Sequence, residues 1–377
     1  MFLAVRELIF ARGRFALMGL VVVLIAMLMV LLSGLSVGLA NDGVSGLQRL
    51  PVTSLAFQKN VAKDSAFSRS VVSRDAASIW AAQEGVSEAA PLGTTLVNAR
   101  SDRGVEIDLA LFGVEPGSFI DPAVATGARL GKAADEVVIS ATAVESGIKL
   151  GDVVTVEPLG TKLRVVGILG AQNTFGHVEV GYLPLRTWQE IRAGLRPGDA
   201  VPARVYTEVT AIAVAAEQGA RVDLAAGDKA AGSTSMTKQE SYGASPGYTA
   251  ETSTLQMIQA FLYVISALVV GAFFTVLTIQ RKQEIAVMRA MGASTRYLLR
   301  DSMVQSVVLL VTSTAAGIGL GLAAGAAISS SPMPFALEPG PIAAATVLMV
   351  ALGVVGAAVA VLRIARVDPL IALGGNR

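Results

Sequence analysis

Phosphate binding, proton transfer and metal ligation each leave a recognisable side-chain pattern, and the chain can be searched for all three. A nucleotide-binding chain would carry a glycine-rich loop closing on Lys and then Ser or Thr. The nearest approach, Gly127–Lys132 (GARLGK), has the wrong glycine spacing and continues with Ala133, so the usual magnesium-holding hydroxyl is missing. The single histidine, His177, sits in NTFGHVEVG and is expected to be a solvated loop side chain rather than a ligand or base. There is no cysteine, which excludes disulfides, zinc thiolates, iron–sulfur clusters and covalent c-type haem. No catalytic residue, no resident cofactor and no metal site are therefore expected. What remains is a contact segment, Gln280–Ser294 (QRKQEIAVMRAMGAS), lying between two apolar runs. Ile285, Met288 and Met291 recur at helical spacing among Ala286, Ala290 and Gly292, and Arg281, Lys282, Gln283, Glu284 and Arg289 form a polar side. It reads as a short amphipathic helix at a membrane surface, either docking a cytoplasmic partner or only holding topology through its basic residues.

Such a segment needs membrane spans on both sides, and the composition supplies them. Of 377 residues, 53% are hydrophobic and 16% charged, with a mean hydropathy of +0.60, so part of the chain faces lipid. A net charge of +1 argues against a nucleic-acid binder. Residues 1–14 alternate Phe2, Leu3, Leu8, Ile9 and Phe10 with Arg6, Glu7, Arg12 and Arg14, as in a cytoplasmic interfacial helix. Residues 15–40 carry no charge and can cross a bilayer; the run is too long for a signal-peptide core and is taken as a retained anchor. Three further spans are expected at 254–279, 302–329 and 341–362, separated by the loops 280–301 and 330–340 and followed by the tail 363–377.

Between the first and second spans, residues 41–253 hold nearly all the acids and read as a globular α+β domain. Arg74–Glu84 and Leu185–Leu195 have helical patterns. Strands are expected at Ala90–Val97, Val105–Val114, Glu136–Ser140, Val178–Leu185 and Pro202–Ala215, and Gly147–Gly170 forms two alternating segments around a turn at Pro158–Gly160. Ala225–Thr254, rich in Gly, Ala, Ser and Thr, reads as a mobile tether or surface loop. The short basic clusters (Arg6, Arg12, Arg14; Arg281, Lys282, Arg289, Arg296, Arg300; Arg363, Arg366, Arg377) all fall on one side, leaving both termini cytoplasmic and the large domain outside. Gly317, Gly321 and Gly325 in the third span, and Gly34 and Gly38 in the first, are small-residue ridges suited to close helix contact, and a homodimer is a natural expectation for so thin a bundle.

Four spans, a large extracytoplasmic insert after the first, and RKQEIAVMRAMGAS after the second together resemble the FtsX-like permease family, which includes MacB-type permeases. The closing segment Ala365–Gly375, with Pro369 and Ala372–Leu373, is similar to the family's end, although Ile371 stands where an acidic residue is usual. The resemblance implies a homodimer with two copies of a separate cytoplasmic ATPase that carries the ATP and Mg2+. Residues Glu284–Gly292 would be the coupling helix seated on it, with Glu284, Ile285, Met288, Arg289, Met291 and Gly292 as contacts. In type, the chain is most similar to HrtB-type permeases, which export haem from Gram-positive bacteria. That implies an apolar slot near the outer leaflet and iron ligands of oxygen or sulfur, for which Met27, Met29, Tyr248, Glu251, Met257 and Glu338 are candidates. Two alternatives stay open: a non-transporting FtsX-like signalling subunit acting on an extracytoplasmic cell-wall hydrolase, and a permease for lipoproteins, peptides or antibiotics.

Overall fold

The computed structural model describes residues 12–280, 287–288, 291–331 and 333–365. They form two compact units: an inserted domain, residues 39–252, and a helical unit made of the residues before Leu39 and from Ser253 onward. Among the described residues, four helices are long and apolar enough to cross a membrane: Phe15–Arg49, Tyr248–Leu277, Arg296–Ile328 and Pro339–Ala360. The chain is thus a membrane protein of four such helices with a large α/β domain between the first and second.

The inserted domain is organised by one long strand. Strands β1 (Ser54–Gln58), β2 (Val72–Ser73), β3 (Val86–Ser101), β4 (Glu106–Val114), β5 (Val124–Gly127), β6 (Glu136–Ile139), β7 (Val153–Glu157), β8 (Thr161–Leu169), β9 (Thr174–Phe175), β10 (Val178–Pro184), β11 (Glu208–Val209), β12 (Ala211–Ala216) and β13 (Ser233–Thr237) follow in chain order. The main sheet runs β13-β1-β12-β3-β4-β10-β6-β8-β5, with β7 against β3 and β8 and β9 against β10. The first half of β3 pairs with β12 (Leu92 opposite Ala211) and the second half with β4 (Gly93 opposite Gly113), so one strand joins both halves of the sheet. At the junction, the indole of Trp188 lies over Gly93 and Gly113, where any Cβ would collide with it. The expected hairpin forms as β7 and β8, with Val156 opposite Thr161.

Two expectations need correction here. The first helix, α1 (Arg12–Arg49), does not stop at Ala40. Its polar continuation NDGVSGLQR is amphipathic: Val44 and Leu47 are three apart and buried in the inserted domain's core, with Leu50 beyond them. The composition shift at Asn41 marks a change of surroundings rather than a helix end. Nor is Ala225–Thr254 a tether. It holds a helix (Leu224–Ala231), β13, a helical turn (Lys238–Ser241) and the start of the helix Tyr248–Gln280. The local reasons are specific. Asp223 caps the first helix through the Ala225 and Ala226 N–H groups, Asp228 accepts from Ser233 and Ser235, and Met236 on β13 is fully buried opposite Leu55. The small residues serve packing, since a Cβ at Gly227 would strike the buried Trp80 ring.

In the helical unit, α1 packs with the helices now numbered α2 (Tyr248–Gln280), α3 (Thr295–Ile328) and α4 (Pro339–Ala365). Phe15, Met18, Val22 and Ala26 of α1 share a core with Val270 and Phe274 of α2, Leu310 of α3 and Met349 and Ala357 of α4. Leu17, Leu20, Leu24 and Leu28 stay exposed at helical spacing, as a lipid-facing stripe would.

Candidate functional site

The most organised polar cluster is built on a tight hairpin. Strands β9 and β10 are joined by Gly176 and His177 alone, with Phe175 opposite Val178. Both turn residues have positive φ (+60° and +65°), the type I′ pattern that matches strand twist. Histidine is one of the few residues other than glycine enriched in that conformation. Because β10 also pairs with β4 and β6, the position of the turn is set by the middle of the sheet.

The end of α1 lies against this hairpin, and glycine permits the approach. A Cβ on Gly46 would come within 2.9 Å of Val180 Cγ2 and 3.0 Å of the Thr174 carbonyl oxygen. The Gly176 N–H donates to Gly43 O at 2.9 Å, and the Ser245 hydroxyl donates to the same oxygen at 2.9 Å. The Thr174 N–H donates to Ser45 Oγ at 2.9 Å, and the two hydroxyl oxygens are 2.7 Å apart.

His177 therefore reaches two carboxylates. Its Nδ1 is 2.8 Å from Asp42 Oδ2, on α1. Its Nε2 is 3.0 Å from Glu251 Oε2 and 3.1 Å from Oε1, in the first turn of α2. A carboxylate in a first turn also suits the helix dipole. With a carboxylate at each ring nitrogen, only the imidazolium donates in both directions; a neutral ring donates to one carboxylate and turns a lone pair toward the other. Asp42 Oδ1 accepts from Gln172 Nε2 at 3.1 Å. Half-buried Glu179 accepts from the Thr142 hydroxyl at 2.8 Å. Burial holds its carboxyl above the usual range; the Ser140 and Thr142 hydroxyls oppose that rise, and the charge of Asp42 adds to it.

The cluster corrects the expectation for His177. The ring is 31% exposed, yet it is held at both nitrogens rather than freely solvated. The sequence did contain a signal: Gly-His between two alternating segments is a two-residue hairpin turn, and Asp42 and Glu251 are the acids nearest the two apolar runs.

The six candidate iron ligands are divided between the two units, Tyr248 and Glu251 in the inserted domain and Met27, Met29, Met257 and Glu338 in the helical unit. Glu251 is engaged by His177, and Tyr248 packs its ring 6.2 Å from that of Tyr242 against the inserted domain's core. In the helical unit, Met29 is buried, beside Ala26, Val30 and Met349, around a void of about 10 Å3, room for about one water. Met27 is half-buried, and Met257 and Glu338 are exposed. Among the described residues, no group of three or more His, Asp or Glu has the arrangement to hold a metal ion.

Of the coupling segment, Glu284, Ile285 and Arg289 lie outside the described residues, as do residues 1–11 and 366–377. Val287, Met288, Met291 and Gly292 are described. The Met291 N–H donates to Val287 O and the Ala293 N–H to Met288 O, both at 3.0 Å. Gly292 follows at φ +96°, a helix-ending conformation that glycine accepts freely, and Ser294 caps α3 through the Tyr297 N–H. Met291 is 76% exposed and Val287 52% exposed, two apolar side chains left uncovered.

The glycine ridges are used within the chain. A Cβ on Gly317 would come within 2.5 Å of the Val23 oxygen, and one on Gly321 within 2.7 Å of Val30 Cβ, so α3 lies directly on α1. Gly34 and Gly38 accommodate Phe335 and Pro334 instead of another helix, and Gly325 also faces Phe335. A contact that the sequence reading missed joins α2 and α4, where Gly356 abuts the Ala267 carbonyl.

Comparison with known proteins adds the family. Residues 257–369 match the FtsX-like permease C-terminal domain. A protein of Staphylococcus epidermidis named for a hemin transport system permease, HrtB, is 24% identical over 379 residues, covering 100% of this chain and 99% of its own. An HrtB of Staphylococcus haemolyticus is 22% identical over 99% of both chains. An ABC transporter permease of Mycobacterium tuberculosis is 24% identical over 78% of this chain and 77% of its own. Among solved structures, the extracellular domain of the noncanonic ABC-type transporter YknZ aligns with 49% of this chain and 98% of its own at 13% identity and a TM-score of 0.35. The periplasmic region of MacB from Actinobacillus actinomycetemcomitans aligns with 51% and 92% at 13% identity and a TM-score of 0.37. Residues 257–369 are thus an FtsX-like permease C-terminal domain, and the chain is similar along its whole length to HrtB proteins and over most of it to an ABC transporter permease.

Proposed function

We propose that the chain exports haem, or a similar membrane-partitioning molecule, from the outer leaflet of a Gram-positive plasma membrane, driven by a separate cytoplasmic ATPase. The observation that carries this reading is the end-to-end correspondence with proteins named for hemin transport. In this reading two ATPase copies, holding the ATP and Mg2+, act on a homodimer of the chain whose termini are cytoplasmic. The segment around Met288 docks the ATPase, and the uncovered apolar side chains of Val287 and Met291 suit such a contact. Transmission would run through helices. The buried Val44 and Leu47 root the end of α1 in the inserted domain, and α2 begins at Tyr248 with Glu251 tied to His177. A helix satisfies its own backbone hydrogen bonds in lipid, so it can carry displacement along its axis.

For haem as cargo, the exposed Met257 and Glu338 are the favoured ligands, because their side chains are free of core packing. Glu251 becomes available only if its contact with His177 opens, and Met29 is committed to the bundle core. The test is growth of a deletion strain on haem. Loss of haem tolerance, restored by the unaltered gene but not by Glu284→Lys or Met288→Asp, is the expected result. Unchanged haem tolerance combined with altered cell shape or antibiotic sensitivity would overturn the haem reading in favour of signalling or another cargo.

A further inference from the structure

The bridge centred on His177 joins three elements through one proton-sensitive ring, and its three residues all belong to the inserted domain, residues 39–252. Asp42 of α1 faces Nδ1 and Glu251 of α2 faces Nε2. Tyr248 of α2 lies close by: a Cβ on Gly43 would stand 3.5 Å from Tyr248 Cδ2 and 3.7 Å from His177 Cε1. Behind Asp42, the Gln172 amide bonds Asp42 Oδ1 at 3.1 Å while the Gln172 carbonyl holds Arg49 Nε at 2.8 Å. Glu179, two residues along β10, exchanges charge repulsion with Asp42 and with Glu145.

The two links of the ring are not equivalent. On the Asp42 side, main-chain bonds hold α1 to the hairpin whatever the ring's charge: Gly43 O accepts the Gly176 N–H at 2.9 Å, and Asn41 O accepts the Thr174 hydroxyl at 3.3 Å. Asp42 is also the less exposed carboxylate, at 22% against 35% for Glu251. A neutral ring therefore keeps its single proton on Nδ1, toward Asp42, and turns the Nε2 lone pair on Glu251. Two acceptors then face each other at 3.0 Å, and that link is the one lost. The first turn of α2 has less to replace it. The Thr249 and Thr252 hydroxyls bond locally, to Gly243 O at 3.1 Å and Tyr248 O at 2.7 Å, whereas Glu251 reaches a partner 74 residues back.

We propose that His177 is a pH-operated latch: its imidazolium ties the first turn of α2 to the β9–β10 hairpin, and loss of the ring proton releases Glu251 while α1 stays attached. Imidazole is the side chain that changes charge between about pH 5 and 8, so the latch works near neutrality. It involves neither Met257 nor Glu338, the ligands favoured above for haem, and it holds for any cargo. Only the side of the membrane whose pH is sensed rests on the orientation proposed above.

His177 is the chain's sole histidine, so nitrogen-15 labelling of histidine reports on this ring alone. The full-length chain, purified in detergent through a histidine-free tag, is followed by NMR and by hydrogen exchange from about pH 5.5 to 8.5. Both ring nitrogens should carry protons at the acid end, and Nδ1 alone at the basic end. Over the same titration, protection of the amides of residues 248–255, corrected for intrinsic exchange, should fall about fivefold, the size of one weak, partly exposed pair. Glu251→Gln should abolish that fall, because an amide can donate to the neutral ring and accept from the charged one. Protection that does not change with the ring's titration overturns the latch, as does a neutral ring protonated on Nε2. A fall that persists in a folded Glu251→Gln chain, checked by tryptophan fluorescence, also overturns it. If that variant fails to fold, the titration of the unaltered chain decides.

Discussion

One helix, α1, is held in two different ways along its length. Near Asp42 and Ser45 it meets β9 and β10 through hydrogen bonds: Ser45 to Thr174, Gly43 to Gly176 and Asp42 to His177. Near Val23 and Val30 it meets α3 through Gly317 and Gly321, with no polar side chain in either glycine contact. The difference follows the surroundings. At the polar end, each donor and acceptor must find a partner wherever water is excluded, and specific groups fix the register. Among the apolar stretches, hydrophobic burial gives helices little reason to associate in lipid, so close van der Waals approach has to hold them.

That contrast can be broken one side at a time, and the chain provides its own reporter: Trp80 and Trp188, its only two tryptophans, are both fully buried in the inserted domain. The largest effect is expected for Trp188→Ala, which empties the space over Gly93 and Gly113 and should cost about 3–5 kcal/mol of inserted-domain stability. Thermal unfolding followed by the remaining Trp80 fluorescence measures it. Next comes Gly317→Leu, which forces α3 off α1 at a cost of about 1–3 kcal/mol. It should lower the temperature at which the detergent-solubilised helical unit aggregates and leave the tryptophan transition in place; movement of both together would show that the units melt as one. His177→Ala should cost about 1 kcal/mol, because both carboxylates are partly exposed and their pairs are weakened by solvent. Hydrogen exchange at the β9–β10 turn and in the first turn of α2 should rise together in that variant.

The smallest effect is electrostatic. The Glu179 carboxyl is held above its ordinary value of 4.5 in the fold, so its charged form is the disfavoured one. Its contribution to stability is complete below the unfolded value and is lost as pH rises through the folded one. Glu179→Gln should therefore stabilise the inserted domain by up to about 1 kcal/mol at about pH 7 and do little at about pH 4. Equal midpoint shifts at both pH values would contradict the burial account.

How far the sequence discloses the molecule follows the same division. The four apolar helices could be read directly, because lipid demands long uncharged runs and few other arrangements satisfy the backbone there. The β7–β8 hairpin was legible because its alternation is local. By contrast, β1 and β13 were not: Leu55 and Met236 are 181 residues apart, and their pairing exists only once the sheet does. The histidine cluster has the same character. Asp42, His177 and Glu251 are separated by 135 and 74 residues, and no local pattern announces that they meet. The glycine ridges were visible as ridges, but their partners, a neighbouring helix for Gly317 and a loop phenylalanine for Gly34, were set by tertiary packing.

The most direct measurement is a haem titration of the full-length chain in lipid nanodiscs, followed by the Soret band and corrected against empty nanodiscs. The account predicts a saturable, shifted band that weakens in Met257→Ala and Glu338→Ala. A spectrum indistinguishable from haem in empty nanodiscs would contradict it.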